Sequence, residues 1–204
     1  EKVEADAVVC AVPLPDFLQI LPPGWKKDYQ GLVGAAHSAI VSVNLWFRRP
    51  VMDELFVGLL DTPTQWLFNR YRLWQGRGVS PGYVSAVISA ADGLSGKTGE
   101  ELVSLVLDDL ERCAPSLRRE DLVHGSAVWE KHATLSPSPS NWGHRPGMRT
   151  PWRNFFLAGD WVDCGLPPTM EAAARSGHQA ADAVKEFLGQ RHARPPAGSV
   201  PVSA

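Results

Sequence analysis

Apolar and polar positions alternate along this chain in a way that predicts both strands and helices. Period-two or continuous apolar runs, typical of strands, cover residues 3–12, 37–48, 56–60, 65–70, 83–90, 122–134 and 155–158. Helical spacing of apolar residues covers 98–114 and 169–188, and a short helical turn is predicted at 14–21. Strands and helices in this order predict an α/β protein.

Capping and turn residues predict where the helices and loops begin and end. Thr98 and Glu101 have the spacing of a capping box, and Pro115 stops the first long helix. The second long helix is predicted to end at Gly189. Residues 136–151 contain four prolines, two glycines and no periodicity, so they predict a long loop of the kind that often carries function.

Composition and charge narrow the classes of function. The 204 residues are 44% hydrophobic and 21% charged, which is ordinary for a globular protein with a buried core. A formal net charge of −2 argues against nucleic acid as a partner. No apolar run reaches the roughly 18 residues of a membrane span. The three cysteines form neither a zinc pattern nor a disulfide framework, so we expect free thiols, no metal site and a cytoplasmic protein.

The segment from residue 154 to 177 has the most chemical content. Its apolar strand delivers Gly159 and Asp160 to the carboxyl end of the strand, where open α/β sheets bind ligands. Glycine allows a ligand to approach the backbone closely. The carboxylate can accept hydrogen bonds from ligand hydroxyls, as the acidic residue of nucleotide sites does.

A rigid Gly-Leu-Pro-Pro turn then leads into the second long helix. The first backbone amides of that helix, those of Thr169, Met170 and Glu171, have no partners inside the helix. They are therefore predicted to stabilise an anion or a partial negative charge. Alanines at 172–174 and the glycine at 177 give the helix a thin side, against which a large ligand can lie.

This segment resembles the C-terminal flavin motif of the flavin amine oxidase and carotenoid desaturase superfamily, in which Gly-Asp precedes a variable stretch and a small-residue helix. The resemblance implies FAD as the cofactor. It assigns Asp160 to the ribityl chain, Gly159 to the pyrophosphate side, and the amide of Met170 to the N1/C2=O edge of the flavin. Negative charge develops at that edge on reduction, so a helix N-terminus suits it. Ala172 replaces a glycine that many relatives carry.

Residues 37–50, 65–70 and 130–134 are similar, more narrowly, to the squalene-associated FAD-dependent desaturases, the hydroxysqualene dehydroxylases of hopanoid synthesis. The resemblance, over residues 3 to about 187, implies reductive dehydroxylation of hydroxysqualene to squalene. A phytoene-type carotenoid desaturase and a flavin amine oxidase stay open as alternatives. A non-catalytic fragment that binds lipid or a partner protein is the alternative from another class. No side chain is identified as catalytic.

The first half of a flavin site is missing from the sequence. Enzymes of this type hold the pyrophosphate with Gly-x-Gly-x-x-Gly after their first strand, and no such motif occurs here. The chain also opens inside an apolar run, Ala7 to Val12, without an initiator methionine. We therefore expect a fragment, inactive alone, that needs an N-terminal FAD-binding part.

The resemblance implies a partial FAD/NAD(P)-binding Rossmann-like domain with a mixed-sheet substrate domain. The predicted segments are 1–33 (FAD domain), 34–150 (substrate domain), 151–189 (C-terminal FAD-binding segment) and 190–204 (disordered tail). Trp46, Trp66, Phe68 and Trp161 are candidates for the wall of a lipid pocket, although core packing explains each of them equally well. An isoprenoid substrate that enters from the membrane implies peripheral contact with the inner membrane.

Overall fold

The computed structural model describes residues 4–113, 117–139 and 141–193, and these form two compact units. The first unit contains the chain up to residue 36 and from residue 134 onward, and the second contains residues 37–133. Residues 134–150, predicted from sequence to belong with the substrate domain, pack with the first unit. Which segments bind cofactor and which bind substrate stays a prediction.

The order of elements follows the predicted pattern closely. The strands are β1 (Val8–Cys10), β2 (His37–Phe47), β3 (Phe56–Gly58), β4 (Trp66–Asn69), β5 (Tyr83–Ser89), β6 (Leu122–Leu135) and β7 (Phe155–Leu157). The α-helices are α1 (Leu14–Ile20), α2 (Arg70–Leu73), α3 (Gly99–Cys113) and α4 (Met170–Ala193). Short 3-10 helices lie at Lys26–Leu32, Ala91–Leu94, Arg119–Asp121 and Trp142–His144. Parallel and antiparallel strands packed with helices confirm the predicted α/β class.

The first unit is built around a two-stranded parallel sheet with helices on both faces. β1 pairs with β7 over three residues, from Val8 opposite Phe155 to Cys10 opposite Leu157. The strand predicted at 3–12 is therefore correct in place but too long, since β7 offers β1 only three partners. α4 covers one face of this sheet and α1 the other. This layer order is that of doubly wound α/β proteins.

Two tryptophans of the first unit stack face to face beside this sheet. The rings of Trp25 and Trp152 have centroids 3.3 Å apart and an interplanar angle of 16°. Phe155 of β7 packs edge-on against both rings. The pair thus joins the segment before the first 3-10 helix to the residues that lead into β7.

α4 packs through its small side chains. Ala172, Ser176, Ala180 and Ala183 are buried at the spacing of one helix face. The helix continues through Gly189, so its predicted end at 188–189 is wrong; one glycine costs only about 1 kcal/mol inside a helix. Residues 190–193 of the predicted disordered tail are helical, and 194–204 lie outside the described residues.

The second unit is a five-stranded sheet in the order β3-β4-β5-β2-β6, with α3 against one face. The pairs β3–β4, β4–β5 and β5–β2 are antiparallel. β6 runs antiparallel to β2, because His132 meets His37 near one end and His124 meets Trp46 near the other. Alternate residues of β2, from Ala39 to Phe47, are buried toward α3.

The N-terminus of α3 has the predicted capping box. The amide of Thr98 donates to Oε2 of Glu101 (2.6 Å), and the amide of Glu101 donates to Oγ1 of Thr98 (3.2 Å). The hydrogen bond from the backbone amide of Thr98, with a smaller contribution from the Thr98 side chain, lowers the pKa of the Glu101 carboxyl below its ordinary value. Asp109, farther along the same helix, is a buried carboxylate. Its burial is compensated by two hydrogen bonds: Oδ2 accepts from the amide of Thr64 (2.9 Å) and Oδ1 accepts from Arg112 (2.6 Å).

Candidate functional site

Two residues after β7, Gly159 has a backbone conformation that other residues rarely adopt. Gly159 has a φ of 138°, and a Cβ at this position would lie 2.8 Å from Nε1 of Trp161. The amide of Gly159 donates to Oγ of Ser176 (2.9 Å), and Oγ also lies 2.9 Å from the carbonyl of Gly159. Ser176 of α4 therefore fixes the end of β7, a role that the sequence analysis did not assign to it.

Asp160, the next residue, is half-buried and held on one side only. Its Oδ2 accepts a hydrogen bond from Oγ1 of Thr134 (3.0 Å), which also lies 3.1 Å from the carbonyl of Pro168. Thr134 thereby connects the carboxylate to the turn before α4. Within the described part of the chain no hydrogen bond reaches Oδ1, so this oxygen can accept one from a ligand hydroxyl.

The N-terminus of α4 is capped by a hydroxyl and keeps free amides. Oγ1 of Thr169 accepts from the amide of Ala172 (3.2 Å). Among residues 4–113, 117–139 and 141–193, no acceptor meets the amides of Met170 and Glu171. The side chain of Met170 is 92% exposed, so nothing described covers this end of the helix. Two free donors at the positive end of a 24-residue helix suit a negatively charged group.

One buried arginine, which the sequence analysis missed, holds the loop between β7 and α4. Arg145 is 8% exposed and donates to four backbone carbonyls: those of Asp160 (3.0 Å), Trp161 (3.3 Å), Val162 (2.7 Å) and Leu166 (2.9 Å). Its guanidinium also lies 5.0 Å from the ring centroid of Trp142. The loop that presents Asp160 is thus organised around a single cation.

These groups fit one part of a flavin nucleotide. The open oxygen of Asp160 suits a ribityl hydroxyl, and the free amides of Met170 and Glu171 suit the flavin edge that gains charge on reduction. Gly159 gives no open cradle on its Cβ side, because the Trp161 indole fills that space. Cys164 is buried and its thiol donates to the carbonyl of Ala172 (3.6 Å), in agreement with a packing role.

In the second unit, the face of the sheet opposite α3 is strongly aromatic. Register places Trp46 opposite Tyr83, and Phe68 opposite both Ser85 and Phe56, all on this face. The rings of Trp46 and Tyr83 stack with centroids 4.6 Å apart. Further ring contacts extend the array: Tyr83–Trp74, Trp46–His124, Phe56–Phe68, Phe56–Trp66 and Trp66–Phe68. We call this surface the aromatic face.

Three of the four candidate pocket residues share the aromatic face, and the fourth does not. Trp46, Trp66 and Phe68 lie on it, and Trp66 is an exposed residue. Trp161 belongs to the first unit, is 1% exposed, and donates from Nε1 to the carbonyl of Val12 (3.0 Å). It packs on Phe17 with ring centroids 4.9 Å apart. In this structure Trp161 is a core residue and offers no surface to a substrate.

Two other kinds of site receive no support from the described residues. No group of three His, Cys, Asp or Glu side chains in residues 4–113, 117–139 and 141–193 is placed to hold a metal ion. None of the helices in the same ranges has both the length and the apolar character needed to cross a bilayer.

Comparison with known proteins places this geometry in a family context. A protein-family model described as flavin containing amine oxidoreductase matches residues 1–185. The chain is 34% identical over 179 residues to hydroxysqualene dehydroxylase of Rhodopseudomonas palustris, covering 88% of this chain and 38% of the relative. It is 25% identical over 199 residues to 15-cis-phytoene desaturase of Synechococcus elongatus, covering 90% of this chain and 40% of that protein. The chain thus spans about two-fifths of the length of these relatives.

The fold is also similar to that of a solved oxidoreductase. The crystal structure of an oxidoreductase from Methanosarcina mazei superposes with a TM-score of 0.64 and 13% identity, over 88% of this chain and 43% of that one. This likeness supports the fold class alone. Together with the flavin-containing family match, the sequence relatives confirm the resemblance drawn from the motifs and its implied cofactor, FAD.

Proposed function

Because the chain belongs to the flavin-containing amine oxidoreductase family, we propose that it is the C-terminal part of an FAD-dependent oxidoreductase that acts on a long isoprenoid. We further propose that its reaction is the reductive dehydroxylation of hydroxysqualene to squalene. The observation that carries the proposal is the 34% identity with hydroxysqualene dehydroxylase over 88% of this chain.

The aromatic face supports an apolar substrate. Its rings offer extended apolar area, and burying each CH₂ of a ligand contributes about 0.8 kcal/mol, so a squalene-sized molecule can be held by apolar contact alone. Strands β2 to β5 contain no aspartate or glutamate. An amine substrate would require a group that accepts hydrogen bonds from, or balances the charge of, its ammonium, and these four strands provide no carboxylate for that purpose.

In the proposed enzyme, each part of the C-terminal segment has a defined task. Asp160 binds a ribityl hydroxyl through Oδ1, while Thr134 and Arg145 keep its loop in place. The amides of Met170 and Glu171 stabilise negative charge at the flavin edge. FAD, when bound and reduced, would supply a hydride to the carbon that bears the hydroxyl group, and the hydroxyl group would leave as water with a proton from solvent. The aromatic face orients the isoprenoid and excludes water.

We also propose that the chain works only when joined to an N-terminal part that binds the FAD pyrophosphate. The purified 204-residue chain should therefore show little or no flavin absorbance after incubation with FAD and gel filtration. A stoichiometric flavin band in the isolated chain would mean that the main binding determinants lie in the residues described above.

Asp160→Ala tests the cofactor site in a polypeptide that joins this chain to such an N-terminal part. A hydrogen bond to a charged group contributes about 1.5–3 kcal/mol, so we expect FAD affinity to fall roughly 10- to 150-fold. Asp182→Ala is the matched control, because Asp182 is exposed on α4 and forms an ion pair with Lys185. Equal FAD affinity in the two variants would remove Asp160 from the site.

The substrate assignment is tested by offering the same joined polypeptide, with FAD and a reductant, three compounds in parallel: hydroxysqualene, phytoene and a simple amine. We expect squalene from hydroxysqualene and no change in the amine. Desaturation of phytoene alone would favour the carotenoid desaturase alternative, and turnover of the amine alone would favour an amine oxidase. No turnover by a polypeptide with FAD bound would favour a non-catalytic lipid- or partner-binding fragment.

A lipid substrate also requires access from a bilayer. We propose that the enzyme is cytoplasmic and contacts the inner membrane peripherally. Flotation of the joined polypeptide with vesicles that contain hydroxysqualene, at low and high salt, tests this contact; absence from the floated fraction in both conditions would contradict it.

A further inference from the structure

A small polar cluster lies in the middle of the aromatic face. Asn44 and Ser85 are opposite each other on β2 and β5. The hydroxyl of Tyr83 donates to Oδ1 of Asn44 (2.9 Å), and Nε of Arg70 donates to Oγ of Ser85 (2.7 Å). We call these four residues the Arg70 cluster. Aromatic rings lie beside it, those of Trp46, Phe68 and Trp74.

Arg70 is held in this cluster without an opposite charge. Its guanidinium carbon lies 5.7 Å from the ring centroid of Phe68 and 5.9 Å from that of Trp74. No carboxylate in the described ranges comes within 4.0 Å of it. By contrast, five other arginines of the second unit each pair with a carboxylate: Arg49, Arg72, Arg112, Arg118 and Arg119.

Among the described residues, the remaining N–H groups of Arg70 have no hydrogen-bond acceptor. A guanidinium has five N–H groups, and Ser85 uses only the one on Nε. Rings stabilise the charge from their faces but do not accept these N–H groups as an oxygen does. The desolvation cost of a half-buried guanidinium among aromatic rings is reduced when an oxygen atom accepts a hydrogen bond from it. A pure hydrocarbon brings no such oxygen, whereas an alcohol brings one acceptor.

We propose that Arg70 binds the oxygen of an isoprenoid alcohol, with the hydrocarbon chain lying on the surrounding rings. This inference rests on the proposed function and adds a specificity-determining residue to it: the aromatic face selects alcohols over hydrocarbons of the same skeleton. Arg70 acts on the hydroxyl group as a hydrogen-bond donor, so it recognises the oxygen-bearing carbon and fixes where along the chain the ligand is placed. A site that forms a hydrogen bond to a ligand hydroxyl discriminates strongly against the analogue that lacks this hydroxyl.

The test compares hydroxysqualene with squalene, which differ by one hydroxyl group. The polypeptide that joins this chain to its N-terminal FAD-binding part is titrated with each ligand at a fixed detergent concentration, and quenching of tryptophan fluorescence reports occupancy of the aromatic face. We expect hydroxysqualene to bind about tenfold more tightly or better. Arg70→Met should bind the two ligands equally, with the affinity for squalene unchanged. Arg70→Lys, which keeps the charge, should retain part of the preference.

Arg72→Met is the matched control, since Arg72 lies two residues away, is exposed and pairs with Asp53. This variant should keep the full preference for the alcohol. Circular dichroism of each variant verifies that the sheet is folded. Equal affinity of the unaltered chain for both ligands, or a preference that survives Arg70→Met, would overturn the role of Arg70 while leaving an isoprenoid substrate in place. Binding of neither ligand would overturn both the inference and the proposed substrate.

Discussion

Replacing Arg145 with methionine should be among the most damaging single changes in the first unit. Methionine keeps a similar length and apolar stem but removes every donor. Four carbonyls of the loop between β7 and α4 then lose their partner, including those of Asp160 and Val162. Because Arg145 is buried, water has little access to take its place.

The expected magnitude follows from the number of orphaned carbonyls. A buried acceptor left unsatisfied costs about 1–3 kcal/mol. If two of the four regain water by a local shift of the loop and two do not, Arg145→Met lowers the free energy of unfolding by about 2–6 kcal/mol. Globular proteins have about 5–15 kcal/mol in total, so the loss is a large share. For a chain of this size it corresponds to a fall in Tm of roughly 10 °C.

Thermal unfolding of the purified chain, followed by near-ultraviolet circular dichroism, measures this loss. Arg149→Met is the control: Arg149 is exposed and forms an ion pair with Glu186, and such surface pairs contribute about 0–1 kcal/mol. Arg145→Lys should remain strongly destabilised, because an ammonium cannot reproduce the planar fork that spans four carbonyls. A Tm for Arg145→Met equal to that of Arg149→Met would refute the reasoning.

Three further changes have defined outcomes. Gly159→Ala should destabilise the first unit, because alanine is strained at a φ of 138° and its Cβ would collide with the Trp161 indole; the measurement is urea unfolding. Asp109→Ala should cost about 2–3 kcal/mol in the same assay, since it orphans a buried amide and a charged partner. Thr98→Ala should raise the lowered pKa of Glu101 only in part, because it removes the side-chain contribution and keeps the larger one from the backbone amide of residue 98; NMR titration of the carboxyl measures this. The capping box therefore stabilises the N-terminus of α3 at pH values above the ordinary pKa of Glu101. This contribution is lost as the pH falls through the lowered pKa.

Matched variants make each of these outcomes decisive. Gly189→Ala, at an exposed helix position with open space around it, should stabilise by about 0.5–1 kcal/mol; a loss equal to that of Gly159→Ala would contradict the steric argument. Asp108→Ala removes an exposed carboxylate beside Arg119 and should cost far less than its buried neighbour. Thr98→Ser keeps the hydroxyl and should keep the pKa of Glu101 low; a pKa unchanged in Thr98→Ala would mean that the hydroxyl does not set it.

Local patterns predicted most of the elements but not their lengths. The capping box of Thr98 and Glu101 is a contact between residues three apart, so it can be read directly. The length of β1 depends instead on β7, a partner 147 residues away in sequence that offers three residues. α4 passed its predicted end because a glycine lowers helix stability without forbidding the helix.

In the candidate site too, local features could be predicted from the sequence and contacts between distant residues could not. The position of Gly159 and Asp160 just after a strand could be predicted because a strand, a glycine and a carboxylate occur in one short stretch; their role at a cofactor stays a prediction. Arg145 could not, because its partners are main-chain carbonyls 15 to 21 residues away, and a carbonyl carries no sequence signal. The sequence leaves Trp161 open between a pocket and a core, because an aromatic residue beside a ligand motif has the same appearance in sequence whether it lines a cavity or fills a core.

The stacked pair of Trp25 and Trp152 has an optical consequence. Two indoles this close and nearly parallel couple their electronic transitions, so the first unit has a chiral chromophore of its own. The second unit has another in the stack of Trp46 on Tyr83. Melting of each unit can then be assigned within one spectrum by comparing the chain with Trp152→Phe and Trp46→Phe variants. Whether the two units unfold in one transition or in two is thereby open to direct observation without any added label.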